Sequence, residues 1–446
     1  MENQQATLPG VASGGSTSSP SVGRFRWTIC ALLFFATTIN YIDRQILGLL
    51  APDLRRIIGW NDIEYGYIVT GFQAAYALGL VIFGRLIDRY GTKIGYSISI
   101  TVWSLAAMAH ALVSTVLGFG GARFLLGLGE SGNFPAAIKA VAEWFPKKER
   151  ALATGIFNSG ANIGAVVAPL VVPWLTVTYG WYGAFLATGA VGFVWLGFWI
   201  WLYDRPEKHP SLSPGELGYI QSDREGAASS AIPWMRLLAF RQTWAFVIGK
   251  FLTDPIWWFY LYWLPPFLNK NYGLTITELG LPLVAIYTMT SIGSIGGGWL
   301  SSLFIKRGWE VSRSRKTVML LCALCVVPIV FASGVSSLWE AVLLIGLAAA
   351  AHQGWSANLF TTASDMFPKR AVGSVTGLGG MAGSVGGMIF ATSAGYILQF
   401  TGSYLTLFII AGSAYLLALG VMQLLVPGMT PATIDADGPL HHRGRE

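Results

Sequence analysis

The sequence predicts an all-α integral membrane protein, with twelve transmembrane helices in two pseudo-symmetric six-helix bundles. Three observations carry that prediction. Charge is scarce: 11% of the 446 residues are Asp, Glu, Lys or Arg, and 53% are apolar. Soluble chains carry about 25% charged residues, and so few charges cannot cover a water-facing surface of this size. The apolar residues fall in long runs, and twelve spans of about 20 residues would use about 240 positions, close to the apolar fraction. Finally, a block of sequence recurs at an offset of 222, half the chain. The 54 glycines, about 12% of the chain, suit helices packed closely in lipid. Disordered, collagen-like and nucleic-acid-binding classes are excluded by this composition, and a net charge of +7 is read as membrane orientation. Cys30, Cys322 and Cys325 lie in apolar runs; the CxxC spacing of the last two has no second Cys pair or nearby His, so they read as small core residues.

In chain order, residues 1–23 are rich in Ser, Gly, Gln and Pro and read as a disordered cytoplasmic tail without a signal-peptide core. The first bundle, 24–203, holds apolar segments at about 27–47, 64–86, 93–113, 115–139, 151–175 and 181–203. A polar cytoplasmic linker, 204–240, follows. The second bundle, 241–426, holds segments at about 243–268, 279–303, 317–335, 337–360, 371–398 and 402–426, and 427–446 is a second cytoplasmic tail. These runs are too long and too evenly apolar for barrel strands. Of the 29 Lys and Arg, 22 fall on one side of this layout and three (Arg55, Arg56, Lys270) on the other, which places both termini in the cytoplasm. The other four, Arg44, Arg123, Lys139 and Lys250, lie within spans.

The repeat aligns Phe145-Pro146-Lys147-Lys148 with Phe367-Pro368-Lys369-Arg370, Thr154-Gly155 with Thr376-Gly377, Gly164 with Gly386, and Glu143 with Asp365. Two similar halves place a site at the midplane between them.

Gly84-Arg85-Leu86-Ile87-Asp88-Arg89-Tyr90-Gly91-Thr92-Lys93, between the second and third helices, resembles the signature of the major facilitator superfamily. Gly84 is expected to let two helices approach, Asp88 and Arg89 to form a conformational latch with a helix end, and Gly91 to permit a tight turn. The rival reading is a solvated loop that serves only topology.

Charge inside the membrane costs at least about 2.5–3.5 kcal/mol per group on insertion scales, so each case needs a reason. Asp43 and Arg44 lie in the first helix, Arg123 and Glu130 in the fourth, Lys250 and Asp254 in the seventh: three acids against three bases. Arg123 and Glu130, seven apart, share a helix face. Lys250 and Asp254, four apart, read as a self-neutralising pair. Lys139 reads as a snorkelling side chain, and His352, the repeat position of Glu130, as an interhelical hydrogen-bonder. For the first four charges, a static ion-pair quartet competes with a transport site in which arginines hold an organic anion and the acids take up protons. Tyr41, Tyr76, Asn158, Asn162, Gln353 and Asn358 can supply polar contacts, and Trp257, Trp258, Trp263 and Trp355 can stack on a sugar-like ring, although belt or packing roles are the default for tryptophan.

Four blocks together resemble the anion:cation symporter family of the major facilitator superfamily: Asn40-Tyr41-Ile42-Asp43-Arg44; Arg123 through Glu130-Ser131-Gly132-Asn133-Phe134-Pro135; Glu143-Trp144-Phe145-Pro146-x-x-Glu149-Arg150; and Gly155-Ile156-Phe157-Asn158-Ser159-Gly160. Gly91 to Tyr96, Ala351-His352-Gln353 and Ser364 to Phe367 look most like bacterial hexuronate permeases. The resemblance implies proton-coupled import of a sugar acid across the bacterial inner membrane by a monomer. Asp43 and Glu130 match its proton-coupling carboxylates; Tyr41, Arg44, Tyr76 and Arg123 match its substrate contacts. Asn158, His352, Gln353 and Trp355 are carried as further substrate contacts. Ala161 stands where the galactonate branch has Gln, which favours a differently shaped acid such as glucuronate or galacturonate. No cofactor, metal or nucleic acid is expected; the partners are a small organic anion, protons and the lipid bilayer. Export or exchange of another anion, such as an aldonate or an aromatic acid, is the alternative, and sodium coupling stays open because carboxylates and helix carbonyls serve both ions. An enzyme is disfavoured by the lack of HExxH and of a phosphate-binding Gly loop, and a channel by the repeat and missing filter loops.

Overall fold

The computed structural model describes residues 23–222 and 234–433. The tails expected at 1–23 and 427–446 fall largely outside these residues, as does 223–233 of the linker. The described residues form helices α1 Phe25–Ile58, α2 Asp62–Tyr90, α3 Thr92–Ala109, α4 Val116–Glu130, α5 Asn133–Trp144, α6 Lys147–Leu202, α7 Pro214–Gln221, α8 Trp234–Leu237, α9 Arg241–Tyr272, α10 Gly280–Lys306, α11 Val311–Val326, α12 Leu338–Met366, α13 Lys369–Thr401 and α14 Leu405–Leu425.

Among the described residues, eight helices are long and apolar enough to cross a membrane. Four further crossings bring the number to the expected twelve, and each is hidden for a local reason. Gly180, at φ 78° and ψ 169°, divides the long α6 into two spans. α4 and α5 form one crossing broken near Ser131, where Pro135 supplies no N–H to the Ser131 carbonyl and its ring crowds it. α9 and α12 are long enough, but their polar residues lower their mean hydropathy. One boundary differs from expectation: the first helix runs on to Ile58, where Gly59 at φ 82° caps it and Arg55 pairs with Asp62 at 2.7 Å.

The repeat is visible element by element. Val116–Trp144, which contains α4 and α5, stands at the same 222-residue offset from α12 as Lys147 does from the first residue of α13. Thr115 and Ser337 cap the paired starts, Pro146 and Pro368 precede the next pair, and Gly180 corresponds to Gly402, at φ 64°. Proline is absent from the second copy of the α4–α5 crossing, so α12 runs unbroken through His352.

Close approach explains the glycine content. A Cβ on Gly160 or Gly164 of α6 would lie 2.4 Å from Phe34 O or 2.6 Å from Thr38 O of α1. A Cβ on Gly293 of α10 would lie 2.0 Å from Ala350 O of α12. Gly293→Ala is therefore expected to cost about 1–3 kcal/mol and to lower the melting temperature of the detergent-purified protein. Gly420→Ala, with no heavy atom within 4 Å of its added methyl, should not.

The halves meet along α2 and α13. Contacts run from Asp62 N–H, donating to Gln399 Oε1 at 3.1 Å, through Tyr67–Tyr396 at 2.7 Å and Thr70–Thr392 at 2.8 Å, to Gly387 against Gln73. Further along, Gly84 of α2 and Gly373 and Gly380 of α13 face open space, and Leu78 and Ile82 are exposed. Along α2 and α13 the halves thus touch toward Asp62 and part toward the face that carries α7. There Glu216 of α7 accepts the Phe25 and Arg26 N–H groups at 3.2 and 3.1 Å, capping α1, and pairs with the Arg26 side chain.

Candidate functional site

Asp43 and Arg44 are neighbours on α1, about 100° apart around the helix, so they face different surroundings. Arg44 points to where the halves meet. Its Nε donates to Glu130 Oε2 at 2.7 Å and its Nη2 to Asn40 Oδ1 at 3.1 Å. Both Arg44 and Glu130 are shut off from solvent, at 1% and 0% exposure. Four rings surround the guanidinium: Tyr41 at 4.8 Å, Trp258 at 5.0 Å, Tyr76 at 5.1 Å and Phe72 at 5.3 Å from its carbon to their centroids. Trp258 belongs to the second half, so Arg44 is held by both halves. Such stacking contributes about 0.5–2 kcal/mol per contact, most when desolvated.

Arg123, one face of α4 with Glu130, donates to the Arg44 backbone carbonyl at 2.5 Å and lies over Phe72 and Tyr262. Its Nε and Nη1 are buried without an acceptor, as Glu130 Oε1 is without a donor. Asp43 turns into the first bundle. Neither of its oxygens makes a hydrogen bond of good geometry; the Thr188 hydroxyl and the Arg123 and Glu130 charges face it. Buried charged groups without full partners are costly, so the quartet is not a fully satisfied ion-pair network.

The other candidates divide. Tyr41 and Tyr76 are partly buried and join the ring cage. Asn158 is exposed on α6 and Gln353 is partly buried on α12. His352 Nδ1 meets Tyr415 Oη at 2.6 Å, and its ring stacks on Trp257 at 5.4 Å and 6°, so it links α12 to α14 and α9. Trp355 has no exposed surface and packs edge-on against Tyr415, inside the second bundle. Asn358 spends its amide on Gly297 and Gly354 carbonyls at 3.1 and 2.9 Å, clamping α10 to α12. Gln73 is fully buried in mid-α2 with both side-chain atoms unpartnered, a position where the sequence alone offered only a polar residue in an apolar run.

In the latch motif, Asp88 pairs with Lys139 at 2.8 Å, and Lys139 also donates to Ile87 O at 3.0 Å, capping the end of α2. Lys139 therefore does more than snorkel. Gly91, at φ 87° and ψ 164°, makes the tight turn as expected. Arg89 lies over the Tyr90 ring at 5.4 Å. Gly84 differs from expectation: no atom lies within 4 Å of a Cβ there, so it permits no close helix contact in this conformation. Nearby, Glu143 accepts from Thr92 and Tyr203 at 2.8 and 2.5 Å, while its repeat mate Asp365 pairs with Arg315 at 3.1 Å. Asp204 is held below the usual carboxylate range despite some burial, by the Arg205 N–H and the Lys93 ammonium. In the seventh crossing, Lys250 and Asp254 pair at 2.7 Å within α9.

Two bundles related by repeat, parted on one face, with charges buried where they meet, define a membrane transporter and not an enzyme. Residues 33–391 match the Major Facilitator Superfamily model, and the chain belongs to that family. It is 32% identical to the hexuronate transporter of Escherichia coli K12 over 382 residues, 84% of this chain and 88% of that protein. It is 34% identical to the galacturonate transporter of Dickeya chrysanthemi over 309 residues, 68% and 89% of the two chains. Its fold is similar to that of a D-xylose-proton symporter crystal structure, with a TM-score of 0.73 at 14% identity, covering 92% of this chain and 100% of that one.

Proposed function

We infer that this chain is a monomeric symporter that imports a sugar-acid monoanion, a hexuronate such as glucuronate or galacturonate, together with protons. It works in the bacterial inner membrane by alternating access, with both termini in the cytoplasm. The observation that carries this reading is Arg44: a guanidinium bonded to an acid of its own half and caged by rings of both halves. The two relatives named for hexuronate and galacturonate support the substrate class.

The cycle follows from the competition for that guanidinium. While Glu130 is ionised it occupies the Arg44 donors. A proton on Glu130 weakens that pair and frees the planar fork for a substrate carboxylate, with Arg123 and its unused donors alongside. Tyr41 and Tyr76 line the anion's site. Asp43, without a strong donor, is the second proton holder. With the cytoplasmic face identified by its Lys and Arg, the conformation is inward-facing, the state from which anion and protons leave. Contacts around Asp88 and Gly91, which in this conformation stay within the first half, exchange partners as the halves rock.

Counterflow and uptake of labelled hexuronate in proteoliposomes test the reading. An inward proton gradient should drive accumulation, and replacing sodium by choline should not change it. Accumulation that follows sodium and ignores the pH gradient would sink the coupling. Asp43→Asn is expected to keep counterflow while losing most gradient-driven accumulation; a variant that still concentrates substrate removes Asp43 from coupling.

A further inference from the structure

The Lys250–Asp254 pair has no part in the cycle above, yet α13 is shaped around it. Lys250, Asp254 and Trp258 are four residues apart and form one stripe of α9, about 12 Å long at 1.5 Å per residue. Opposite them on α13 stand Gly379, Gly383 and Gly387. A Cβ at Gly383 would lie 2.4 Å from Asp254 Oδ2, one at Gly379 3.1 Å from Lys250 Cγ, and one at Gly387 3.2 Å from the Trp258 ring. The far end of the stripe is the ring that covers Arg44 at 5.0 Å. The side chains of Lys250 and Asp254 are 7% and 19% exposed, so the pair is recessed without being sealed.

The pair is a poor structural staple. Its two groups bond each other along a single helix, and among the described residues no hydrogen bond or ion pair joins either to a neighbouring helix; the Phe360 ring lies 4.2 Å from the ammonium, and His352 and Tyr415 lie within reach of the two charges. Burying it therefore costs desolvation without tying helices together. What the pair offers is an ammonium that donates and a carboxylate that accepts, side by side. That suits adjacent hydroxyls of a polyol chain. A second carboxylate placed there would face Asp254, and like charges in a recessed site repel strongly.

We propose that Lys250 and Asp254 form a second-half subsite for the hydroxyl-bearing tail of the substrate, and that Asp254 makes the transporter select sugar monoacids over sugar diacids. The proposal rests on the reading of Arg44 as the carboxylate anchor. Gluconate and glucarate supply the test, since both are open-chain acids of six carbons that differ only in a terminal CH2OH or carboxylate. Binding is measured by calorimetry on the detergent-purified full chain, with glucuronate as reference. The wild type should bind gluconate at least about tenfold more tightly than glucarate, as expected of a misplaced charge in such a site. Asp254→Asn should narrow that ratio about tenfold, and Lys250→Met should weaken gluconate and glucuronate about tenfold. If Asp254→Asn is not monodisperse, Lys250→Met/Asp254→Asn, which removes both charges, should narrow the ratio likewise. A wild type that prefers glucarate, or a ratio unchanged in the folded variant, overturns the subsite. A wild type that binds none of the three acids overturns the hexuronate reading instead.

Discussion

Arg44→Ala is expected to abolish hexuronate binding, and Arg44→Lys to weaken it by about ten- to a hundredfold. The expectation follows from what each change removes. Arg44 meets Glu130 with two nitrogens at 2.7 Å and carries four ring contacts. A substrate carboxylate that takes Glu130's place inherits that fork. Charge-assisted hydrogen bonds contribute about 1.5–3 kcal/mol each, and 1.4 kcal/mol is a factor of ten. Lysine keeps the charge but presents one compact ammonium, with neither planar fork nor stacking face. Alanine also leaves Glu130 buried without its cation, which costs about 3–5 kcal/mol, so its melting temperature should fall sharply. Arg44→Lys is the cleaner probe for this reason. Calorimetry with glucuronate, alongside thermal melting of both variants, separates binding from folding. A lysine variant with wild-type affinity would remove the guanidinium from the anchor role.

Glu130→Gln is expected to uncouple the carrier. Glutamine has the shape of a protonated glutamate and cannot release its proton. Arg44 is then permanently available to the anion, so binding should be retained and should no longer require a proton at position 130. Counterflow, which needs only the loaded carrier to reorient, should persist. Accumulation driven by a proton gradient should fall by about a hundredfold, to the level of liposomes in equilibrium with the medium. A Glu130→Gln protein that concentrates hexuronate against a gradient would move the coupling elsewhere, with Asp43 the remaining acid of the first bundle.

The fold was legible in the sequence because membrane residence and duplication both leave marks on composition. Apolar runs set the crossings, and the 222-residue offset paired helix starts that the structure places at Lys147 and Lys369. Local overruns were harder to read: α1 continues to Ile58 because Arg55 and Arg56 can extend toward water and pair with Asp62 and Asp53. The break in the fourth crossing was written in Pro135, whereas Gly84 invited an inference about packing that depends on how far apart the halves stand. The charged residues were legible as an intramembrane group, since burial of charge is costly wherever it occurs. Their division of labour was not. That Arg44 turns to the ring cage while Asp43 turns inward depends on helix rotation, and the cage itself draws Phe72 and Trp258 from opposite halves. Trp355 reads the same as Trp258 in one dimension; only the packing of α12 against α14 puts it under Tyr415.

The three acids and three bases within the first, fourth and seventh crossings also have an electrical consequence. A unit charge carried across the bilayer does about 2.3 kcal/mol of work per 100 mV. With interior charges that cancel, the empty carrier returns without moving net charge, and membrane voltage neither hastens nor hinders it. A monoanion accompanied by one proton is likewise neutral, so voltage would leave that cycle untouched. A second proton makes the loaded step alone carry current inward. In the proposed cycle the stoichiometry of the two acids thus decides whether the cell's membrane potential, or its pH gradient by itself, would set how far a sugar acid is concentrated.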